Sequence, residues 1–236
     1  MNLDRLVLWR HGETDYNAAG RIQGQLDSIL TRTGQQQARL AAPVIAQVAP
    51  DVVVSSDLSR TRSTAAAFVE VTGGSVRLDK RLREVHLGDW QGLSGAEVER
   101  RWPGAMATWR SEPIWTPPGG ESRIEVAERA SEVVDELAHQ YQGTGLLCTH
   151  AGVITALTAK LIGLPLKLWP ELGGIDNCHW VVLERRTGPA GLWSLTAYNV
   201  GTQDLHPDEQ LQTPSTAARA PVPPRQEAAQ HEVHIA

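Results

Sequence analysis

The fold turns on one stretch, Leu6-Val7-Leu8-Trp9-Arg10-His11-Gly12-Glu13. Its apolar start predicts the first strand of a buried sheet, and the polar run Thr14-Asp15-Tyr16-Asn17 follows at once. An arginine, a histidine and a glycine at a strand end can form an anion site that carries a nucleophile. The position agrees with the composition, because in open α/β sheets ligands gather outside the carboxyl ends of the strands. The short motif alone does not exclude a chance Arg-His pair, so the rest of the chain decides.

Length and charge narrow the classes. The chain has 236 residues, enough for one large α/β domain with a sizeable core. A net charge of -5, with no basic run to track a phosphate backbone, argues against nucleic acid as a partner. It leaves room for a local basic pocket that takes a small anion. Cys148 and Cys178 are too few for a disulfide framework and sit in or beside apolar runs, so they read as buried free thiols. No stretch approaches a membrane span, and Met1-Asn2-Leu3-Asp4-Arg5 carries no apolar signal region. A cytosolic protein without a membrane partner is expected.

Outward from the opening strand, Arg21-Ile22-Gln23-Gly24-Gln25 reads as a polar loop. Thr31 or Thr33 caps a helix over about 34–48, with Ala38, Ala41, Ala42, Ile45 and Val48 at helical spacing and a kink expected at Pro43. Asp51-Val52-Val53-Val54-Ser55 predicts a central strand, and Ser59 to Thr72 a helix whose amino end favours an anion. A short strand at Val76-Arg77-Leu78 precedes a loop rich in ionisable groups, residues 82–92. Ser94 starts a short helix to about Trp102, and Pro103 to Gly120 reads as an irregular insertion, a lid over the site. Ser122 with Glu125 forms a capping box for the next helix. Gly145 to Thr149 is a strand ending at His150. Cys178–Glu184 and Leu192–Tyr198 read as a closing antiparallel pair, turning at Gly188-Pro189. An apolar edge on that pair suggests a homodimer. The domain is expected to fill residues 1–202, with about 93–120 as the insertion. Residues 203–236, rich in proline and alanine, predict a disordered tail in which His231 and His234 are solvated and hold no metal.

Three strand ends therefore carry ionisable groups: Arg10-His11, Arg60 and His150, with Glu84 on a loop that could cover them. In a parallel sheet these ends share one edge. Two arginines and two histidines facing one point suit a phosphoryl dianion. Neighbouring positive charge keeps a histidine neutral, the form that attacks phosphorus. The attack would give a phosphohistidine, and a carboxylic acid nearby could protonate the departing alkoxide and then activate water. No cofactor and no metal are needed. A non-catalytic module that binds a phosphorylated partner is the other class, but it needs neither nucleophile nor proton donor.

Leu8-Trp9-Arg10-His11-Gly12-Glu13-Thr14, Asn17, Arg21-Ile22-Gln23-Gly24 and Ser55-Ser56-Asp57-Leu58-Ser59-Arg60-Thr61 resemble motifs of the histidine phosphatase superfamily, in its phosphoglycerate mutase-like branch. So do Leu82-Arg83-Glu84, Gly88-Asp89-Trp90-Gln91-Gly92, Gly119-Gly120-Glu121-Ser122 and Thr149-His150-Ala151-Gly152. The resemblance spans about residues 5 to 200. It implies a three-layer α/β sandwich with a mostly parallel central sheet flanked by helices. It also implies His11 as nucleophile, Arg10, Arg60 and His150 on the phosphoryl oxygens, Glu84 as proton donor, and Asn17, Gln23 and the Ala151 N–H lining the phosphate site. A mutase is the other reading within the family. The loop of residues 82–92, Gly119 to Arg123 and Trp169 to Asn177 are more closely similar to actinobacterial members of methylglucose lipopolysaccharide synthesis. Their substrate is a glucosylated 3-phosphoglycerate, a small phosphate ester that also carries a carboxylate. That likeness makes Arg83 or Arg123 the carboxylate contact and Trp90 or Trp115 a stacking surface for the sugar, against core or lid packing as the plainer role of an indole. Two departures from the pattern are Ile29-Leu30, where a proline is usual, and Gln91 in place of glutamate.

Overall fold

The computed structural model describes residues 3–186 and 192–204. A sheet of six strands runs through it in the order β3-β2-β4-β1-β5-β6. The strands are β1 (Leu3–Arg10), β2 (Val52–Ser55), β3 (Arg77–Leu78), β4 (Gly143–Thr149), β5 (Trp180–Arg185) and β6 (Trp193–Val200). Strands β1 to β4 pair parallel, and β5 and β6 close the sheet antiparallel. The helices are α1 (Asp15–Ala18), α2 (Arg32–Ala46), α3 (Ser59–Thr72), α4 (Gly95–Arg101), α5 (Ala105–Ser111), α6 (Arg123–Gln140) and α7 (Ala151–Leu161). The expected mostly parallel, three-layer sandwich is what is seen.

The alternation of side chains along a strand explains the layers. In β1, Leu6 and Leu8 enter a core with Val126, Ala130, Val133 and Leu137 of α6 and Ile154 and Leu157 of α7. Val7 and Trp9 point the other way, to Ala38, Ala41 and Ile45 of α2 and Ala65 and Phe68 of α3. The central strand is therefore apolar on both faces, which is why its sequence shows an unbroken run. It is longer than that run: Leu3 is also buried, and β1 starts there.

Local chemistry sets the element ends. Thr31, not Thr33, caps α2, its Oγ1 accepting from the Gly34 N–H at 3.0 Å. The helix is continuous through Pro43, whose exposed position leaves the unpaired carbonyl one turn back to water. The Ser122–Glu125 capping box is present at α6. One expectation fails: the stretch read as irregular, Pro103 to Gly120, contains α5. That helix is seven residues long and no side chain caps its amino end, so the sequence gives it no start signal. The turn at Gly188-Pro189 lies outside the described residues, as does the tail beyond Asp204 with His231 and His234. Among the described residues, no helix is long and apolar enough to cross a membrane.

Candidate active site

The carboxyl ends of β1, β2 and β4 meet at one sheet edge. Arg10 ends β1 and His11 follows it; His150 follows β4; Arg60 lies in the first turn of α3, which starts four residues after β2. His11 and His150 are buried side by side, with ring centroids 5.2 Å apart and an edge-on contact.

The tautomer of each ring is set by its partners. His11 Nδ1 lies 2.7 Å from the Gly12 carbonyl oxygen. A carbonyl only accepts, so Nδ1 carries the proton and Nε2 keeps a free lone pair. His150 is the reverse. Arg60 Nε donates to its Nδ1 at 3.2 Å, so the proton sits on Nε2, which faces Ser56 Oγ at 3.0 Å. Burial holds both rings well below the usual histidine pKa. The positive charges of Arg60 and Arg10 push His11 the same way, and Arg60 does so for His150.

The two guanidinium groups are placed differently. Arg60 is fully buried, and most of its donors are met within the chain: Nη1 by the Leu26 carbonyl at 2.9 Å, Nη2 by the Gly24 carbonyl at 2.7 Å, Nε by His150. Burial lowers its pKa to about 10, against the pull of Glu84 and Asp27, so it stays charged at neutral pH. Arg10 donates from Nη1 to the Ile175 carbonyl, and its Nε is buried with no partner in the chain. An unpaired cationic N–H in a dry site is costly; an anion seated there would satisfy it.

Glu84 stands over the amino end of α7. Its Oε1 accepts from the Val85 N–H at 2.9 Å and its Oε2 from the Gly152 N–H at 3.3 Å. A Cβ at position 152 would lie 2.6 Å from Oε1, so only glycine lets the carboxylate approach this closely. Asn17 and Gln23 use their amide oxygens internally. Asn17 Oδ1 accepts from Thr14 N–H at 3.2 Å and Asn177 Nδ2 at 3.2 Å; Gln23 Oε1 accepts from Ser28 Oγ at 2.6 Å. Both amide oxygens are thus engaged within the protein. Ala151 supplies the first amide of α7.

The residues expected to meet a sugar and a carboxylate are placed less simply. Trp90 is 1 % exposed and packs between Trp109 and Trp115, with centroids 6.1 and 5.5 Å away. Its faces are taken by neighbours, so it offers no stacking surface, which corrects that expectation. Trp115 is partly exposed. Arg83 spends its fork on Asp57, with both contacts at 2.7 Å. Arg123 donates from Nη2 to the carbonyls of Trp109 and Arg110, at the carboxyl end of α5. Arg83 is thus committed to the protein, whereas Arg123 spends only Nη2 there and its Nε is buried with no partner among the described residues. Gln91, where glutamate is usual, accepts the Gln25 N–H on Oε1 at 2.7 Å. Among the described residues no cluster of His, Cys, Asp and Glu could hold a metal. Asn177, to which no local pattern assigns a role, also donates to the His11 carbonyl at 3.1 Å; its partners are more than 150 residues away in the chain.

Residues 6–200 match the model of the histidine phosphatase superfamily, branch 1, and the chain belongs to that family. It is 45% identical over 219 residues to glucosyl-3-phosphoglycerate phosphatase of Mycolicibacterium vanbaalenii, covering 86% of this chain and 97% of that one. It is 43% identical over 217 residues to the enzyme of the same name from Mycobacterium tuberculosis, with the same coverage of 86% and 97%. Among solved structures, the mycobacterial glucosyl-3-phosphoglycerate phosphatase complexed with inorganic phosphate superimposes with a TM-score of 0.78 at 43% identity, covering 85% of this chain and 99% of that one.

Proposed function

We propose that this protein hydrolyses a phosphate monoester through a phosphohistidine on His11, with glucosyl-3-phosphoglycerate as its substrate and glucosylglycerate and phosphate as products. The observation that carries the chemistry is the hydrogen bond from His11 Nδ1 to the Gly12 carbonyl, which leaves Nε2 as a nucleophile beside two buried cations.

In the first step Nε2 bonds to phosphorus as the ester P–O bond breaks. The ring gains positive charge, which the Gly12 carbonyl stabilises through Nδ1–H. Arg10 and Arg60 balance the phosphoryl charge, Arg10 with its unpaired Nε–H and Arg60 chiefly as a fixed charge. The NH2 groups of Asn17 and Gln23 and the Ala151 N–H are the remaining donors, and His150, whose Nε2–H faces Ser56 Oγ, would have to turn that N–H from the serine to reach a phosphoryl oxygen. Glu84 gives its proton to the leaving alkoxide. In the second step it takes a proton from water, which attacks phosphorus and frees His11.

The substrate rests on the relatives. Trp115 is the indole left to meet the sugar, and the segment around α5 is the lid. The same reading takes residues 1–202 as one catalytic domain in the cytoplasm. It also takes a homodimer through β6, the terminal strand of the sheet, which sedimentation checks.

The test is phosphate release from glucosyl-3-phosphoglycerate, mannosyl-3-phosphoglycerate, 3-phosphoglycerate and an aryl phosphate. The glucosyl ester should have the highest kcat/KM, and His11→Ala should abolish turnover in a folded protein. Equal turnover across the panel would remove the substrate assignment; isomerised phosphoglycerate as the main product would make the protein a mutase.

A further inference from the structure

The segment Gly119-Gly120-Glu121-Ser122 belongs to the family motifs, yet none of its side chains reaches the phosphoryl site. Glu121 instead pairs with Arg129 of α6: Arg129 Nη2 meets Oε1 at 2.6 Å and Nε meets Oε2 at 3.1 Å. Each partner also grips the loop that carries Glu84. Arg129 donates from Nη1 to the Arg81 carbonyl at 2.6 Å and from Nη2 to the Glu84 carbonyl at 3.1 Å. Glu121 Oε1 accepts the His86 N–H at 2.7 Å, and its own N–H donates to the His86 carbonyl at 2.9 Å. The backbone on both sides of Glu84 is thus fastened to one ion pair, whose side chains are only about a fifth exposed, 20% and 19%. The approach is close enough that a Cβ on Gly120 would stand 2.6 Å from the His86 carbonyl oxygen.

We propose that Glu121 and Arg129 are positioning residues that hold the Glu84 carboxyl in register with the leaving-group oxygen. The inference rests on the reading of Glu84 as the proton donor. Neither residue contacts the phosphoryl site. Their effect is on the geometry of proton transfer, which tolerates little displacement: an ångström of error costs roughly 10²-fold in rate. An isolated structural ion pair would touch one loop atom or none. This pair engages three successive anchor points, at Arg81, Glu84 and His86.

The proton matters most when the leaving alkoxide is a strong base, so the test compares an alkyl phosphate with 4-nitrophenyl phosphate. In Arg129→Met, kcat for the alkyl ester should fall roughly 10²-fold with KM nearly unchanged, and the aryl ester should lose less than about threefold. Glu121→Gln should show the same selectivity to a smaller degree, and it serves if the methionine variant does not fold. On a Glu84→Gln background, Arg129→Met should add less than about threefold, because the group it places is gone. Equal loss on both esters, or additive losses in the double variant, overturns the inference while leaving Glu84 as the acid. If Glu84→Gln itself slows both esters equally, the acid assignment fails and this inference falls with it.

Discussion

Arg60 Nε donates to His150 Nδ1 across 3.2 Å of fully buried space. A cation that donates to an imidazole fixes where its proton goes. It also disfavours a second proton on the ring, and the same charge acts on His11.

Stability should therefore fall as the medium is acidified. Both histidines have folded pKa values well below the ordinary 6.5. The unfolded chain then binds more protons as pH drops, so the histidine contribution is complete above about 6.5 and is lost below it. The slope is about 1.4 kcal/mol per pH unit for each buried histidine. Urea midpoints between pH 7 and 5 should show it, and His11→Asn should halve the histidine part. A stability flat across that range would mean that the rings charge freely.

Gly152→Ala perturbs the placement of Glu84. The added Cβ would press on Glu84 Oε1 and on the buried Val85 Cγ2, each from 2.6 Å, so both side chains must move. Crowding of Val85 offsets the gain of about 1 kcal/mol from alanine's helix propensity, so the melting temperature should not rise. Turnover of alkyl esters should fall by on the order of tenfold or more. Unchanged kcat would show that the Glu84–Gly152 contact plays no part in proton transfer.

Arg123→Ala tests its role at the end of α5. Its Nη2 meets the last carbonyls of that helix, where a cation also suits the helix dipole. Loss of a charged, half-buried hydrogen bond should cost about 1.5–3 kcal/mol, read by thermal or denaturant unfolding. If instead stability holds and KM rises only for substrates with a carboxylate, Arg123 is a substrate contact after all.

The site was legible where chain position alone decides placement. Arg10, His11 and His150 end strands, and the parallel sheet brings such ends together whatever the details of packing. The fates of Arg83, Arg123 and Trp90 depended on partners that no local pattern reveals. Asp57 claims the fork of Arg83 from 26 residues away, and two other indoles close over Trp90. The same holds for Arg129, an unremarkable surface-type residue in the sequence until its contacts with the Glu84 loop are seen. In the fold, long periodic helices were readable, whereas α5 was hidden between Gly104 and Pro113 with too few residues to establish a period.

Strands β1 and β4 lie next to each other with Arg10 opposite Thr149, and the His11 N–H continues the ladder to the Thr149 carbonyl at 3.1 Å. The two imidazoles therefore inherit their spacing from the repeat distance between hydrogen-bonded strands, about 4.8 Å. That distance is a constant of the peptide backbone, indifferent to which side chains surround it. Under the proposed function, the segment around α5 can be rebuilt to admit a different alcohol without disturbing it, so that phosphoryl chemistry and substrate choice are written into separable parts of the same chain.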